Sequence, residues 1–285
     1  MTTTQLTFSP EQSAHWARCG WLIDQTTLPA EIAPLLSGWA DAVAALPQTD
    51  DATSPTQHHE GSEHGDLHAR TEHFVHLHEG IRTLVVDGPL QAAASALLCE
   101  PAVLYKEKLN YKHPGGAGFA PHQDATAYRF VDRHITAMVA IDDATPANGG
   151  MELASGFHHE LLPTDGDGCI DDAAADELPF EPLTVRRGDV LWFHSLAPHQ
   201  SGPNHSAHAR RAFFFTFNAA AHGDLRERYY ADRLEQLREH ARSGSSASRV
   251  STIGHFKGAR PEGADARPTA RRVPVDIPSP GRLPV

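Results

Sequence analysis

A mainly β fold with flanking helices, its strands closing into an antiparallel barrel or jelly roll, is the class predicted by this sequence of 285 residues. Three observations carry it. From Ala102 onward apolar residues recur with a period of two in short runs, the spacing of half-buried strands. Between the runs stand turn signals: Pro114-Gly115-Gly116, Asn148-Gly149-Gly150, Gly166-Asp167-Gly168, Arg187-Gly188-Asp189 and Ser201-Gly202-Pro203-Asn204. Before Ala102 the apolar spacing is helical, so helices would cover one face of the barrel.

The first element is a helix with Ser9 as N-cap and Pro10 at its first position, running to about Arg18. Gly20-Trp21-Leu22-Ile23 is a short strand. Pro29-Ala30-Glu31 starts a second helix, with Ile32, Leu35, Leu36, Trp39, Val43 and Leu46 at core-packing spacing. Residues 47–70 are polar and aperiodic, which predicts a long loop, either a lid or a disordered stretch. His58, His59, His64 and His68 lie in it, and a solvated loop is favoured there over a second metal site. Gly80 to Leu98 is one or two helices, broken at Gly88-Pro89. Strands follow at Ala102–Lys112, Ile135–Ile141, Met151–Ala154, Leu183–Val185, Val190–Phe193 and Ala212–Phe217. A charged helix spans Ala221–Ala241. These pieces make one domain over 1–242, with a helical part 9–98, a jelly-roll core 102–218 and the helix 221–241. Residues 243–285 form an irregular tail.

Composition narrows the partners. The formal charge is -12 with His neutral, and no long Lys/Arg run stands out, which argues against nucleic acid. The three cysteines are far apart and form no CxxC, which suits a reducing compartment. Met1-Thr-Thr-Thr-Gln does not resemble a signal peptide. No run of about 18 apolar residues is present to span a membrane. The expectation is a cytoplasmic protein with a small-molecule partner. Its 20 histidines make any single histidine weak evidence.

The chemistry gathers in 119–218. His122 and Asp124 are two residues apart, so on an extended strand they share a face. His199 must be brought in by the fold. Two imidazoles and a carboxylate on one side of a metal are the donor set of non-heme Fe(II) oxygenases, with open positions for a co-substrate and dioxygen. His-x-Asp alone is common by chance. Here a glycine-rich turn precedes His122, the apolar run Val190-Leu191-Trp192-Phe193 precedes His199, and an arginine follows. A co-substrate such as 2-oxoglutarate chelates iron at one end and needs a fixed cation at its far carboxylate. Arg210 offers a planar fork for it and Ser201 a hydroxyl. By alternation Arg210 shares a face with Ala212 and Phe214 while Arg211 points away; a slip of one residue would exchange them.

On the strand 102–112, Lys106, Lys108, Asn110 and Lys112 share one face, and Tyr105, Leu109 and Tyr111 share the other with Glu107. Either the lysine face looks inward and makes the site positive, or it is solvated and the tyrosine face is core. Asn110 is a candidate donor to the co-substrate. Gln123, Tyr128, Arg129 and Trp192 are candidate substrate contacts that could equally be packing or surface. His134 and His194 read as structural, and Gly115-Gly116-Ala117-Gly118 as a turn rather than a phosphate loop.

These residues together resemble the phytanoyl-CoA dioxygenase superfamily over roughly 9–240. The resemblance rests on the first helix with Gly20-Trp21-Leu22-Ile23 and the second helix, on His122-Gln123-Asp124, on His199-Gln200-Ser201-Gly202-Pro203-Asn204, and on Arg210. The runs Lys106–Lys112 and Gly115–Asp124 look most like the branch containing 2-aminoethylphosphonate dioxygenase. The resemblance implies a double-stranded β-helix, cupin-like, that uses Fe(II), 2-oxoglutarate and O2. His122, Asp124 and His199 would be its metal ligands. Arg210 and Ser201 would hold the C5 carboxylate, with Asn110 and Lys108 beside the co-substrate. It also turns the lysine face inward, with Lys106 toward substrate. Two departures stand out: Leu153–His159 replaces the usual Pro-Gly-Ser-His run, and the acidic insert 165–177 and the tail after Ser243 are not matched to the family pattern. Asp124 occupies the place where halogenating relatives carry a small residue, which favours hydroxylation. The implied function is hydroxylation of a C–H bond in a small polar substrate, anionic if the lysines face in and 2-aminoethylphosphonate-like, with release of succinate and CO2. The alternatives are a natural-product or amino-acid tailoring hydroxylase of the same superfamily, and a non-catalytic metal-containing jelly-roll binding module.

Overall fold

The structure, a computed structural model, describes residues 8–49, 53–62, 65–128, 130–131, 133–242 and 256–257. One sheet has seven strands in the order β1 (Trp21–Asp24), β9 (Val190–His194), β6 (His134–Ala140), β11 (Arg210–Ala219), β4 (Ala102–Lys112), β3 (Gly65–Glu72) and β2 (Thr56–Ser62). The other has five in the order β12 (Phe256–Lys257), β5 (Gly118–His122), β10 (His199–Ser201), β7 (Met151–Ala154) and β8 (Phe180–Pro182). Neighbouring strands are antiparallel, and from β4 to β11 the chain passes repeatedly between the two sheets. This is the expected jelly roll.

Alternation along the large sheet builds two cores. Phe213, Phe215, Phe217, Leu109 and Trp192 pack with apolar residues of the helices α2 (Leu36–Ala44), α3 (Glu79–Val85) and α4 (Pro89–Leu98). Each such buried ring is worth about 1.5–3 kcal/mol. Ala212, Phe214, Met138, Leu191 and Phe193 face the small sheet and pack on Met151 and Leu153. On the helix side, Glu107 accepts hydrogen bonds from the Phe74 and Val75 amides at 2.9 Å and from Arg226. That ties β4 to α6 (Arg226–Arg242).

Most elements follow the sequence pattern. In α1 (Pro10–Cys19) Ser9 and Gln12 form a reciprocal cap, and Gly20 ends the helix at φ 77°, where its missing Cβ leaves room for the His158 ring. The second helix is a correction. It starts at Leu36 rather than Pro29, because Pro34 supplies no N–H and disfavours a helical conformation at Ala33. The largest correction is the expected loop 47–70, which carries the β2–β3 hairpin, with His58, His59 and His68 in its strands. Its alternation is hidden because the inward residues are charged rather than apolar, and a bulge between His58 and His59 shifts the register. His64 lies outside the described residues. The strand expected at Leu183–Val185 is displaced to Phe180–Pro182. Leu183 and Val185 are buried anchors, and an edge position tolerates the proline. The charged helix begins at Arg226, after a 3-10 turn at Ala220–His222 and Gly223 at φ 88°. The insert contains a short helix α5 (Asp172–Asp176) capped by Asp171. The tail 243–285 lies outside the described residues except Phe256 and Lys257, which pair with Phe119 and Gly118.

Candidate metal centre and adjoining pockets

β5 and β10 lie side by side with His199 directly opposite His122, and the two rings are 4.1 Å apart between centroids. Each imidazole is oriented by a carbonyl two residues back: His122 Nδ1 is 2.7 Å from Ala120 O, and His199 Nδ1 is 3.0 Å from Ala197 O. A carbonyl only accepts, so Nδ1 carries the proton and Nε2 presents a lone pair, the form that binds metals. Asp124 does not share a strand face with His122, as the spacing suggested. β5 ends at His122, and Asp124 opens a 3-10 turn, Asp124–Ala127, fixed by the Ala125 amide donating to Ser195 O at 3.0 Å. The turn still delivers the carboxylate. His122 Nε2 is 3.9 Å from Asp124 Oδ1, and one ligand atom from each of the three residues lies within 4.8 Å of the others.

All three side chains are buried, and Asp124 Oδ2 has no hydrogen-bond partner. Burial pushes both imidazoles below their ordinary pKa, with the His199 charge adding to the effect at His122. Burial alone would raise the Asp124 pKa. The charges of Lys108 first and of Lys106, with the two imidazoles beside it, outweigh burial and keep the carboxylate ionised. Two neutral imidazoles and one carboxylate with an unsatisfied oxygen fit a divalent cation.

Along the inner face of the large sheet lies a second cluster. Arg210 on β11 pairs with Lys112 on β4. Arg210 Nη2 donates to Gly149 O at 2.8 Å, while its Nε is buried without a partner. Lys112 Nζ donates to Ser201 Oγ at 2.8 Å and to Gly202 O at 2.7 Å. Burial lowers the Arg210 pKa to about 10. Burial and then the Arg210 charge lower Lys112 to about 6. A pocket lined by Glu60, Asn110, Lys112, Phe119 and Arg210 opens beside them. Arg211 points to the other face and pairs with Asp142 and Asp41. Lys112 was no co-substrate candidate in the sequence, although it continues the Lys106–Lys108–Asn110 face.

That lysine face looks inward. Lys108 Nζ lies 4.8 Å from the Phe214 ring centroid, and Lys106 Nζ lies 4.4 Å from that of Tyr128. Burial lowers Lys106 to about 8 and Lys108 to about 7, opposed by the Asp124 charge. Asn110 Oδ1 accepts from Arg70 Nε at 2.9 Å. Arg70 in turn pairs with Glu72 at 3.3 Å, and Arg233 of α6 lies 3.6 Å from the same carboxylate. Arg70 falls at the end of the segment expected to be a loop and Arg233 in the helix expected to be charged, and neither they nor Glu72 stand out as site residues in the sequence. The available signal was the two-residue step from Arg70 to Glu72, opposite Asn110 and Lys108.

The remaining candidates divide. Tyr128 is buried, and after burial itself the Asp124 charge is the main cause that holds its phenol far above the usual pKa. Gln123 spends its amide on backbone, donating to Leu196 O and Glu160 O and accepting from Leu162 N, so it staples loops rather than facing a substrate. Trp192 is corrected to core: it is fully buried on the helix side of the sheet, and its neighbour Phe193 is the residue beside His199, at 5.0 Å. Arg129 lies outside the described residues. No helix among the described residues is long and apolar enough to cross a membrane.

A family model described as phytanoyl-CoA dioxygenase matches residues 16–212. A methylphosphonate hydroxylase of Gimesia maris is 42% identical over 253 residues, covering 88% of this chain and 96% of the relative. A 2-aminoethylphosphonate dioxygenase of an uncultured bacterium is 33% identical over 259 residues, covering 87% and 98%. Among solved structures, EctD from S. alaskensis with 2-oxoglutarate and 5-hydroxyectoine superposes with a TM-score of 0.65 at 22% identity, over 78% of this chain and 80% of that one. At that identity the likeness is one of fold.

Proposed function

Because the chain belongs to the phytanoyl-CoA dioxygenase family, we propose that it is an iron(II)- and 2-oxoglutarate-dependent hydroxylase acting on a small anionic substrate of the phosphonate class. The observation that carries the reading is the convergence of His122, Asp124 and His199 beside two separate groups of basic residues, Arg210 with Lys112 and Arg233 with Lys106 and Lys108. Iron(II) held by His122, Asp124 and His199 would activate dioxygen, which is the oxidant: the substrate C–H, dioxygen and 2-oxoglutarate would become C–OH, succinate and carbon dioxide. The protein's part is binding, orientation and exclusion of water. His122 and His199 are fixed by their carbonyls, and Asp124 stays ionised. Arg210 takes the far carboxylate of 2-oxoglutarate, its orphaned Nε supplying a second donor, with Lys112 and Ser201 alongside.

The substrate class follows from charge. On and beside the lysine face Arg70, Lys106, Lys108 and Arg233 stand against Glu72 and Asp124. A buried excess of cations calls for an anion, and a phosphonate dianion supplies two charges. The two phosphonate-named relatives support the same class.

The test is an anaerobic titration of the purified protein with Fe(II) and 2-oxoglutarate, followed by the visible metal-to-ligand charge-transfer band, then turnover of methylphosphonate and 2-aminoethylphosphonate with succinate as readout. The band is expected in the wild type and absent from His199→Ala. Iron binding without a band would remove the co-substrate reading. A band without phosphonate turnover would leave the oxygenase and remove the substrate class.

A further inference from the structure

Among the described side chains of helix α6, Arg233 is the charged group that approaches the lysine face. Arg233 is 5% exposed, and its Nε has no hydrogen-bond partner. Its ion pair with Glu72 Oε2 is long, at 3.6 Å, and His58 Nε2 lies at the same 3.6 Å from that oxygen. The 3.6 Å contact to Glu72 is beyond hydrogen-bond length, so the guanidinium keeps donor capacity for an anion. Tyr229 precedes Arg233 by four residues, so both occupy one face of α6. The Tyr229 ring lies 5.5 Å from Lys106 Nζ. Glu72 stands opposite Lys108 in the β3–β4 ladder and also pairs with Arg70 at 3.3 Å. The helix therefore brings one more cation to the lysine face, held by a carboxylate that is itself shared.

We propose that Arg233 is a specificity-determining residue that grips the substrate's anionic head together with Lys106, with Glu72 as its positioning residue, so that the site selects dianions over monoanions. The proposal rests on the hydroxylase reading above. A fully ionised phosphonate has three acceptor oxygens and two charges, enough for a guanidinium fork and an ammonium at once. A carboxylate of the same chain length has two oxygens and one charge, and leaves one buried cation uncompensated.

The experiment titrates the full-length protein, loaded anaerobically with Fe(II) and 2-oxoglutarate, with methylphosphonate against acetate and 2-aminoethylphosphonate against β-alanine. The perturbation of the charge-transfer band is the readout. The wild type is expected to prefer each phosphonate by tenfold or more. Arg233→Gln should weaken phosphonate binding at least tenfold and compress the preference, with 2-oxoglutarate affinity unchanged, and Arg233→Lys should recover part of both. A wild-type preference that Arg233→Gln retains overturns this proposal alone. Equal losses for phosphonate, carboxylate and 2-oxoglutarate in both variants assign Arg233 to structure and overturn it too. A wild type whose band is intact but indifferent to both phosphonates removes the phosphonate reading, and this proposal with it.

Discussion

Lys112 shows what burial does to one side chain. With a folded-state pKa of about 6, it is mostly neutral at pH 7 before an anion arrives. A carboxylate binds its protonated form, so co-substrate binding should take up a proton. Apparent 2-oxoglutarate affinity should then fall as pH rises from about 6 to 8, by up to roughly tenfold per unit. The stability of the unliganded protein runs the other way. An unfolded lysine titrates near 10.4, so between about 6 and 10 the unfolded chain holds the extra proton and raising pH favours the fold. Isothermal titration across that range checks the first effect, and Lys112→Met should flatten it. Arg210 and Arg211 give a paired control. Arg210 is buried with an orphaned Nε, whereas Arg211 is engaged by Asp142 and Asp41 on the other face. Arg210→Gln should cost about 1.5–3 kcal/mol of 2-oxoglutarate binding, roughly ten- to hundredfold in Kd, and Arg211→Gln little.

Among the elements, the β5–β10 pair sets the metal geometry, and Gly118 sets how closely its strands approach. A Cβ there would sit 2.4 Å from Ser201 O, a backbone atom that cannot swing away. Gly118→Ala should push the strands apart between the two imidazoles and the co-substrate end. The expected cost is about 1–3 kcal/mol of stability, seen in urea unfolding, with weakened Fe(II) affinity. Gly166→Ala, whose methyl would meet nothing within 4 Å, is the control. The same scale shows how far the sequence was legible. β4, β7, α1 and α4 could be read because their apolar spacing and caps are local signals. The β2–β3 hairpin could not, because the rule that apolar residues point inward fails where the interior is a polar site: Arg70, Glu72, Lys106 and Lys108 all face in. For that reason alternation could divide β4 into two faces without saying which was inside. The residue types of the centre were legible, but the turn that delivers Asp124 was not, since nothing in His122-Gln123-Asp124 marks the end of a strand.

At the scale of the whole molecule, the two kinds of site residue belong to different sheets. His122 and His199 stand on the small sheet, while Arg210 and Lys112 stand on the large one; the bond from Lys112 Nζ to Ser201 Oγ at 2.8 Å already joins them. A co-substrate held by the metal at one end and by Arg210 at the other would add a second tie across the interior. Its binding should therefore stabilise the fold only when metal is present. By mass action, a ligand at 100 times its Kd adds about 2.7 kcal/mol. For a chain of this size each kcal/mol moves Tm by about 2–4 °C, so shifts of roughly 5–10 °C are expected. Thermal unfolding with metal alone, 2-oxoglutarate alone and both should give a combined shift larger than the sum of the separate ones. Arg210→Gln should shrink that excess and leave the shift from metal alone intact. Additive shifts in the wild type would mean that 2-oxoglutarate binds without reaching the metal, and the tie between the sheets would then have to be sought in another ligand.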